Sequence, residues 1–255
     1  MPIEKQKSDE SVPALGIDTF LSSADAARAW RVLEKLSFHR LRRFHLTGRL
    51  ALESHRLAGG HRTAPRALND IDIVVPSFAA VPDALARGFL VRHIHPKAPE
   101  GKLVVQLVDA EEALRIDVFS AYGSTLARSQ FRDSPLGVIP VVSAEDLAAR
   151  SASLVMDLER GQEVARKHAE DFERLAEFVD SAQVEIAWQD HRRESDPSRF
   201  AEARARIWDL VESCAALLVS PDYSRDADAI CPRCEETGAW RLASGQAVMS
   251  ILGYV

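Results

Sequence analysis

Strand-like segments occupy the first part of this chain, and helical periodicity takes over at Ser143. Alternating or continuous apolar runs predict strands at 42–48, 70–76, 89–96, 102–109, 114–121 and 137–143. Apolar residues at helical spacing predict helices at 23–37, 49–57 and 77–88, and then through most of the chain to residue 220. Strands followed by helices are typical of α+β proteins. We therefore expect an α+β fold with a mixed β-sheet domain at 15–142, a mainly helical domain at 143–255 and a flexible N-terminus at 1–14.

The composition excludes several classes of protein. Hydrophobic residues make up 46% of the 255 and charged residues 27%, as in a folded globule. No apolar run approaches the roughly 20 residues that span a bilayer, and the polar start "MPIEKQKSDESVP" has no apolar signal core. The three cysteines are too few for a disulfide framework. We therefore expect a cytoplasmic protein with no membrane partner.

Positive charge is concentrated in one segment of an acidic chain. Residues 28–66 contain ten Lys or Arg against two Glu, a net charge of +8, so the remainder must carry −14 for the chain to total −6. This segment ends just before Asp70 and Asp72. A basic surface beside a carboxylate pair suits a polyphosphate held with a metal, and the alternative is a solvated arginine-rich helix face.

The motif "LNDIDIVV" places Asp70 and Asp72 at the start of an apolar strand. Side chains alternate along a strand, so both carboxylates face the same side, with Cα atoms roughly 6.6 Å apart. Such a pair repels unless a cation intervenes, and Mg²⁺ takes oxygen ligands. Asp117 in "RIDVFS" is the candidate third ligand, although it could instead pair with Arg115 or Arg92. Three such carboxylates can hold two metal ions about 3.5–4 Å apart, and the alternative for the pair is a turn at a strand end.

The stretch "HLTGRLALE" is a candidate phosphate site. It predicts a strand, a turn and a helix N-terminus, where backbone N–H groups and the helix dipole favour an anion. Thr47 and Gly48 would form the turn, and glycine lacks the Cβ that would block close approach. Arg49, Arg62 and Arg66 could reach phosphate oxygens.

Together these motifs resemble the nucleotidyltransferase superfamily that shares the polymerase β-like core. In that superfamily a Gly-Ser or Gly-Gly turn precedes a helix, an Asp-x-Asp strand follows, and a third Asp lies on a later strand. The chain is more similar still to the bacterial abortive-infection and toxin–antitoxin nucleotidyltransferases. That group has a Thr-Gly-Gly-like turn and an Arg four residues before the first Asp, and Thr47, Gly48, Arg66, Asp70 and Asp72 match.

A later helix of the same group, rich in Lys and Arg and ending in Asp, is similar to "ARKHAEDFERL". Lys167 and Asp171 match its Lys and Asp in position and type. The sequence departs from the pattern at Arg49, where Ser or Gly is usual. The loop before the Asp pair is also longer than the pattern, which leaves Arg62 and Arg66 as alternatives.

The resemblance, which covers motifs in roughly residues 43–180, implies a nucleotidyltransferase-like mixed sheet flanked by helices. It also implies transfer of a nucleotidyl group from an NTP to an acceptor hydroxyl or similar group. Asp70 and Asp72 would bind two Mg²⁺ ions, and Asp117 would ligate the catalytic ion and help to deprotonate the acceptor. Lys167 would lie over the phosphates. The acceptor could be RNA such as tRNA, a protein or a small molecule.

Two other functions fit the same motifs. A catalytically silent protein of this fold would bind or sense nucleotides, which Arg49 favours and the intact three-Asp pattern opposes. A small-molecule modifier, such as an antibiotic-inactivating transferase, would share the same core.

Cysteine and histidine pairs elsewhere could bind a different metal. "CPRC", with Cys231 and Cys234, has the spacing of half a zinc knuckle. The sequence argues against zinc there, because no second Cys pair exists and a ligand would have to come from a distant histidine or from the partner in a homodimer. His93 and His95 in "RHIHPK" alternate on a predicted strand and could ligate a metal, although an ordinary strand face is the simpler explanation.

Overall fold

A seven-stranded mixed sheet is the framework of the first part of the chain. This computed structural model describes residues 12–63, 67–220, 234 and 240. The strands of the sheet, in chain order, are β1 (His45–Leu46), β2 (Asp70–Val75), β3 (Leu90–Ile94), β4 (Leu103–Asp109), β5 (Leu114–Ser120), β6 (Gln130–Arg132) and β7 (Ile139–Val141). Their spatial order is β3-β4-β5-β2-β1-β7-β6. The β2–β5 and β1–β7 pairs are parallel and the other neighbours are antiparallel.

Helices flank the sheet in sequence and dominate the second part. They are α1 (Ile17–Phe20), α2 (Ser23–Phe38), α3 (Gly48–Ala58), α4 (Ala144–Val155), α5 (Arg166–Ala176), α6 (Ser181–His191) and α7 (Phe200–Ser213). A small parallel ladder joins β8 (Val164–Ala165) to β9 (Leu218–Val219). This architecture is consistent with the predicted α+β class. Buried apolar side chains of both parts form one continuous cluster that extends from Leu15 to Trp240, and the division into domains stays a prediction.

Alternation along "DIDIVV" explains the position of β2 inside the sheet. Ile71, Ile73 and Val75 are fully buried, whereas Asp70 and Asp72 are only half-buried. Because the side-chain period of a strand is two, the apolar residues enter the core and both acids face the other side. The acids therefore lie on a strand whose two edges are both paired, by β1 and β5.

The neutral His55 side chain fixes α3 to the β6–β7 hairpin. Its Nε2–H donates to the carbonyl of Val142 at 2.7 Å, and its Nδ1 accepts from Arg132 Nη2 at 2.9 Å. A carbonyl can only accept and a guanidinium can only donate, so the imidazole must carry one proton. Burial, with a smaller contribution from Arg132, lowers the pKa of His55 to about 4.

Most of the predicted elements are present, with shifts at particular residues. The helix expected at 77–88 is instead two short 3₁₀ helices, Phe78–Ala80 and Asp83–Arg87, because the extended Pro82 between them lacks a backbone donor. Strand β1 is only two residues long, and the short edge strand β6 was not predicted. The Ser22 hydroxyl caps α2, accepting from the Asp25 backbone N–H at 3.1 Å.

The second part begins as the sequence predicts. The Ser143 hydroxyl accepts from the backbone N–H of Asp146 at 3.0 Å and caps α4. Gly161 ends the following 3₁₀ turn with φ +69° and separates it from α5. At the other end of the chain, residues 1–11 of the predicted flexible segment lie outside the described residues, whereas the carbonyl of Pro13, within that segment, accepts from the backbone N–H of Asp133 at 2.9 Å.

The positive charges of α2 are paired with acids at the turn between β4 and β5. Arg28 donates to the carbonyl of Glu112, and Arg31 makes a bidentate ion pair with the Glu112 carboxylate. Lys35 lies 3.0 Å from the fully buried carboxylate of Asp109. These three of the ten cations in the basic segment therefore have the ordinary role of a charge-paired helix face rather than of an open basic surface.

Among the described residues, no helix combines the length and apolar character needed to cross a membrane.

Candidate active site

Strands β2 and β5 bring the three predicted carboxylates together. In their parallel register Asp72 lies opposite Asp117 and Asp70 lies opposite Arg115. One oxygen from each of Asp70, Asp72 and Asp117 lies within 4.8 Å of the others. Gln106 on β4 donates to Asp117 Oδ1 at 2.8 Å and holds that side chain in place. The three acids thus form a cluster of oxygen ligands of the kind that a hard divalent cation takes.

Burial and mutual repulsion make this cluster costly to ionise. Burial, followed by the negative charges of Asp70 and Asp117, raises the pKa of Asp72 to about 8, against the opposing charges of Lys167 and Arg115. The pKa of Asp117 is also raised, chiefly by burial, although Arg115 and Gln106 oppose that shift. A bound cation would stabilise the ionised form of every member.

Arg115 supplies part of the countercharge. Its guanidinium forms an ion pair with Asp70, and its Nε lies 3.3 Å from Asp117 Oδ2. Arg115 and Asp117 are two residues apart on β5, so they share a face. The two interpretations of Asp117, as a member of an acidic cluster and as a partner of Arg115, therefore hold together.

Gly48 allows α3 to begin directly against Asp72. Gly48 has φ +58°, a left-handed conformation that side chains with a Cβ disfavour. A Cβ at this position would lie 2.1 Å from Asp72 Oδ2. The backbone N–H of Thr47 also donates to the carbonyl of Asp72 at 3.0 Å, which joins the turn to β2. The predicted Thr-Gly turn is thus in contact with the acidic strand.

A cavity of about 440 Å³ opens beside the acids and the turn. Such a volume is within the range of small-molecule sites. The residues of the sheet part that line the cavity include the three acids together with Thr47, Gly48, Arg49 and Arg115. The residues of the helical part that line it include Arg150 of α4 and Lys167, His168 and Asp171 of α5.

The helical part adds two cations to the cavity wall, beside Arg49 and Arg115 of the sheet part. Lys167 and Arg150 both line the cavity, and burial lowers the pKa of Arg150. His168 is neutral near pH 7, because burial and the adjacent Lys167 and Arg150 lower its pKa to about 4. Sequence reasoning named Lys167 and Asp171 but missed Arg150 and His168. The adjacency of His168 to Lys167 was the only signal, and nothing local marked Arg150.

Arg49 belongs both to the cavity wall and to a buried ion network. Its Nη2 lies 3.9 Å from Oε1 of Glu53, which is 1% exposed. Arg174 on α5 donates to the same oxygen at 2.6 Å. Glu53 therefore connects α3, which carries the turn, to α5, which carries Lys167.

The two loop arginines have different outcomes. Arg62 is exposed and is not part of the cavity wall, and its backbone carbonyl accepts from the Arg56 guanidinium. Its predicted phosphate contact thus has no support in this arrangement, because the side chain lies on a solvent-facing loop. Arg66 lies outside the described residues.

The chain matches no protein-family model, and no curated protein matches it at a significant level. The chemistry of this site is therefore argued from its own geometry.

Proposed function

We propose that this protein is a Mg²⁺-dependent nucleotidyltransferase that transfers a nucleotidyl group from an NTP to an acceptor. The observation that carries the proposal is the convergence of three carboxylates and several cations on one cavity. Acids alone would suit a metal, and cations alone would suit an anion. Both together suit a metal-bound polyphosphate.

The residues present fit Mg²⁺. The donor set is three carboxylates, hard oxygen ligands of the type that Mg²⁺ shares with substrate phosphates. Burial and the negative charges of Asp70 and Asp117 raise the pKa of Asp72, and a bound cation would offset that cost of ionisation. Asp70, Asp72 and Asp117 would hold the ion or ions. When bound, Mg²⁺ would neutralise phosphate charge and polarise the phosphoryl group under attack.

The chain's own residues would bind and orient the NTP. The helix N-terminus at Gly48 presents backbone N–H groups where no Cβ intervenes. Lys167 and Arg49 would contact the phosphates from opposite walls, since each lines the cavity.

Asp117 is the candidate base in the transfer. The acceptor oxygen forms a bond to the α-phosphorus, the bond from that phosphorus to the bridging oxygen breaks, and pyrophosphate leaves. The acceptor's proton would pass to the carboxylate of Asp117, which Gln106 and Arg115 hold in place. The raised pKa of Asp117 favours that role.

The acceptor class is RNA, protein or a small molecule. The ion pairs of α2 weaken the argument from charge for RNA, since those cations are already engaged. An RNA acceptor would bind with strong salt dependence, so absence of tRNA binding at low salt would exclude tRNA.

A second candidate is a catalytically silent nucleotide-binding or sensor protein. The position of Arg115 favours it, because the guanidinium contacts two of the three carboxylates that catalysis would need for metal. In the enzyme, Arg115 would have to move aside or turn toward the phosphates.

Calorimetry with Mg²⁺ and each NTP tests the binding site. Asp70→Ala or Asp72→Ala should abolish Mg²⁺-dependent NTP binding, whereas Asp209→Ala, an exposed helical acid, should bind as wild type does. Lys167→Ala should weaken binding about tenfold, equal to about 1.4 kcal/mol, and Arg62→Ala should leave it unchanged. Unchanged affinity in the two cluster variants would exclude the metal assignment.

Label transfer separates the two candidate functions. The protein is incubated with cell extract, Mg²⁺ and NTPs labelled at the α-phosphate, and RNA, protein and small-molecule fractions are counted. Transfer of label by the wild-type protein, together with no transfer by Asp117→Asn, supports the enzyme. No label in any fraction from a protein that still binds NTP supports the silent alternative.

A further inference from the structure

A second group of metal-ligand side chains lies at β3, the edge strand of the sheet. His93 is on β3 and His95 follows its last residue, so alternation places both imidazoles on one face. The rings are stacked with centroids 6.0 Å apart. Cys234, 141 residues beyond His93 in the chain, lies against the same pair. One ligand atom from each of the three residues lies within 4.8 Å of the others.

The distance between the Cys234 sulfur and Nδ1 of His93 fits a tetrahedral zinc site. Zinc bonds of about 2.0–2.1 Å to nitrogen and about 2.3 Å to sulfur, at a tetrahedral angle, separate the two ligand atoms by about 3.6 Å. The distance from Cys234 Sγ to His93 Nδ1 is 3.5 Å. Two imidazoles and a thiolate form a donor set that favours zinc over Mg²⁺ or Ca²⁺.

We propose that His93, His95 and Cys234 form a structural zinc site. The sequence argued against zinc at "CPRC" because no second Cys pair exists, and the structure brings two distant histidines to Cys234. The Cys-x-x-Cys spacing of that motif is itself typical of zinc ligands, although Cys231 lies outside the described residues.

The site would join the C-terminal stretch to the sheet. Trp240, the other described residue beyond position 220, is 5% exposed and packs on Phe78 with ring centroids 6.0 Å apart. Strands β4 and β5 lie between β3 and the acidic strand β2. The zinc would therefore act on the fold at the edge strand, where His93 lies opposite Gln106, the residue that donates to Asp117.

Metal analysis of the full chain, purified without chelator, tests the site directly. We expect one zinc ion per chain by inductively coupled plasma mass spectrometry. The chain stripped of metal and titrated with Co²⁺ should show a thiolate-to-cobalt charge-transfer band and the visible bands of tetrahedral coordination, and Zn²⁺ should remove both. Wild-type protein with neither zinc nor the cobalt spectrum would overturn the proposal.

Variants identify the ligands. Cys234→Ser, His93→Gln and His95→Gln should each lose the bound zinc, and Cys234→Ser should also lose the charge-transfer band. Cys214→Ser, which changes a half-buried cysteine outside the group, should retain one zinc per chain. Full zinc content in Cys234→Ser would refute the assignment. The wild-type cobalt spectrum decides the question even where a variant fails to fold, and neither measurement depends on nucleotide binding.

Discussion

Gly48→Ala would show whether the turn and the carboxylate cluster are fitted to each other. The new Cβ would lie 2.1 Å from Asp72 Oδ2 and 2.8 Å from its Cγ, far inside the normal contact distance of about 3.5–4.0 Å. The carboxylate must then move by more than about 1 Å, a displacement that can reduce catalysis on the order of 100-fold. The left-handed φ of +58° adds roughly 1–2 kcal/mol of destabilisation.

Gly60→Ala is a matched control at the other end of the same helix. Gly60 has φ +73°, and no atom lies within 4 Å of a Cβ placed there. This variant should therefore have the backbone cost alone, a fall in Tm of about 2–8 °C for a chain of this size. Gly48→Ala should show a larger fall and should weaken Mg²⁺-dependent NTP binding at least about tenfold in calorimetry, whereas Gly60→Ala should bind NTP normally.

The outcome that refutes this reasoning is equality of the two variants. If Gly48→Ala and Gly60→Ala lose the same stability and keep the same NTP affinity, the contact with Asp72 is not a constraint on the site. A double-mutant cycle adds a second check, because Asp72→Ala removes the two closest clashing atoms and should reduce the stability cost of Gly48→Ala.

Two further predictions concern stability. His55 stays neutral in the folded protein down to about pH 4 but takes a proton in the unfolded chain below about pH 6.5. The free energy of unfolding should therefore decrease by up to about 3 kcal/mol as the pH is lowered from about 6.5 to about 4. His55→Gln should reduce this dependence in urea unfolding at a series of pH values and leave the similar contribution of His168, and an unchanged slope would contradict the assignment. Glu53→Ala should lower the free energy of unfolding by about 3–5 kcal/mol, because it leaves buried cations without their carboxylate. Glu159→Ala, from an exposed ion pair, should cost less than about 1 kcal/mol, and equal costs would argue against the buried network.

The acidic half of the site can be predicted from local sequence pattern. Asp70, Asp72 and Asp117 are conspicuous because acids are depleted in strands, and strand alternation alone predicts which way each faces. The parallel pairing of β2 with β5 then sets Asp72 against Asp117. The sequence indicates these strands but not that they are neighbours.

The rest of the site depends on long-range packing, which has no local signature. Arg150 reaches the cavity because α4 packs against α5, and Cys234 reaches His93 across 141 residues. Arg62 has a side chain suited to phosphate and lies close to Asp70 in the sequence. Its loop has no periodicity that could predict where the side chain points. Pro82 is the opposite case, because proline is a local helix-breaking signal within an otherwise helix-like pattern.

The order of the cavity residues along the chain has a consequence for synthesis on the ribosome. Asp70, Asp72 and Asp117 all precede position 143, whereas Arg150, Lys167 and His168 follow it. A nascent chain released as far as β7 has the three carboxylates with Arg49 and Arg115, but it lacks Arg150 and Lys167, the two cations of the other wall. The cavity is therefore complete only after α5 has emerged, so premature termination or cleavage before that helix would give a fragment without the helical wall of the cavity.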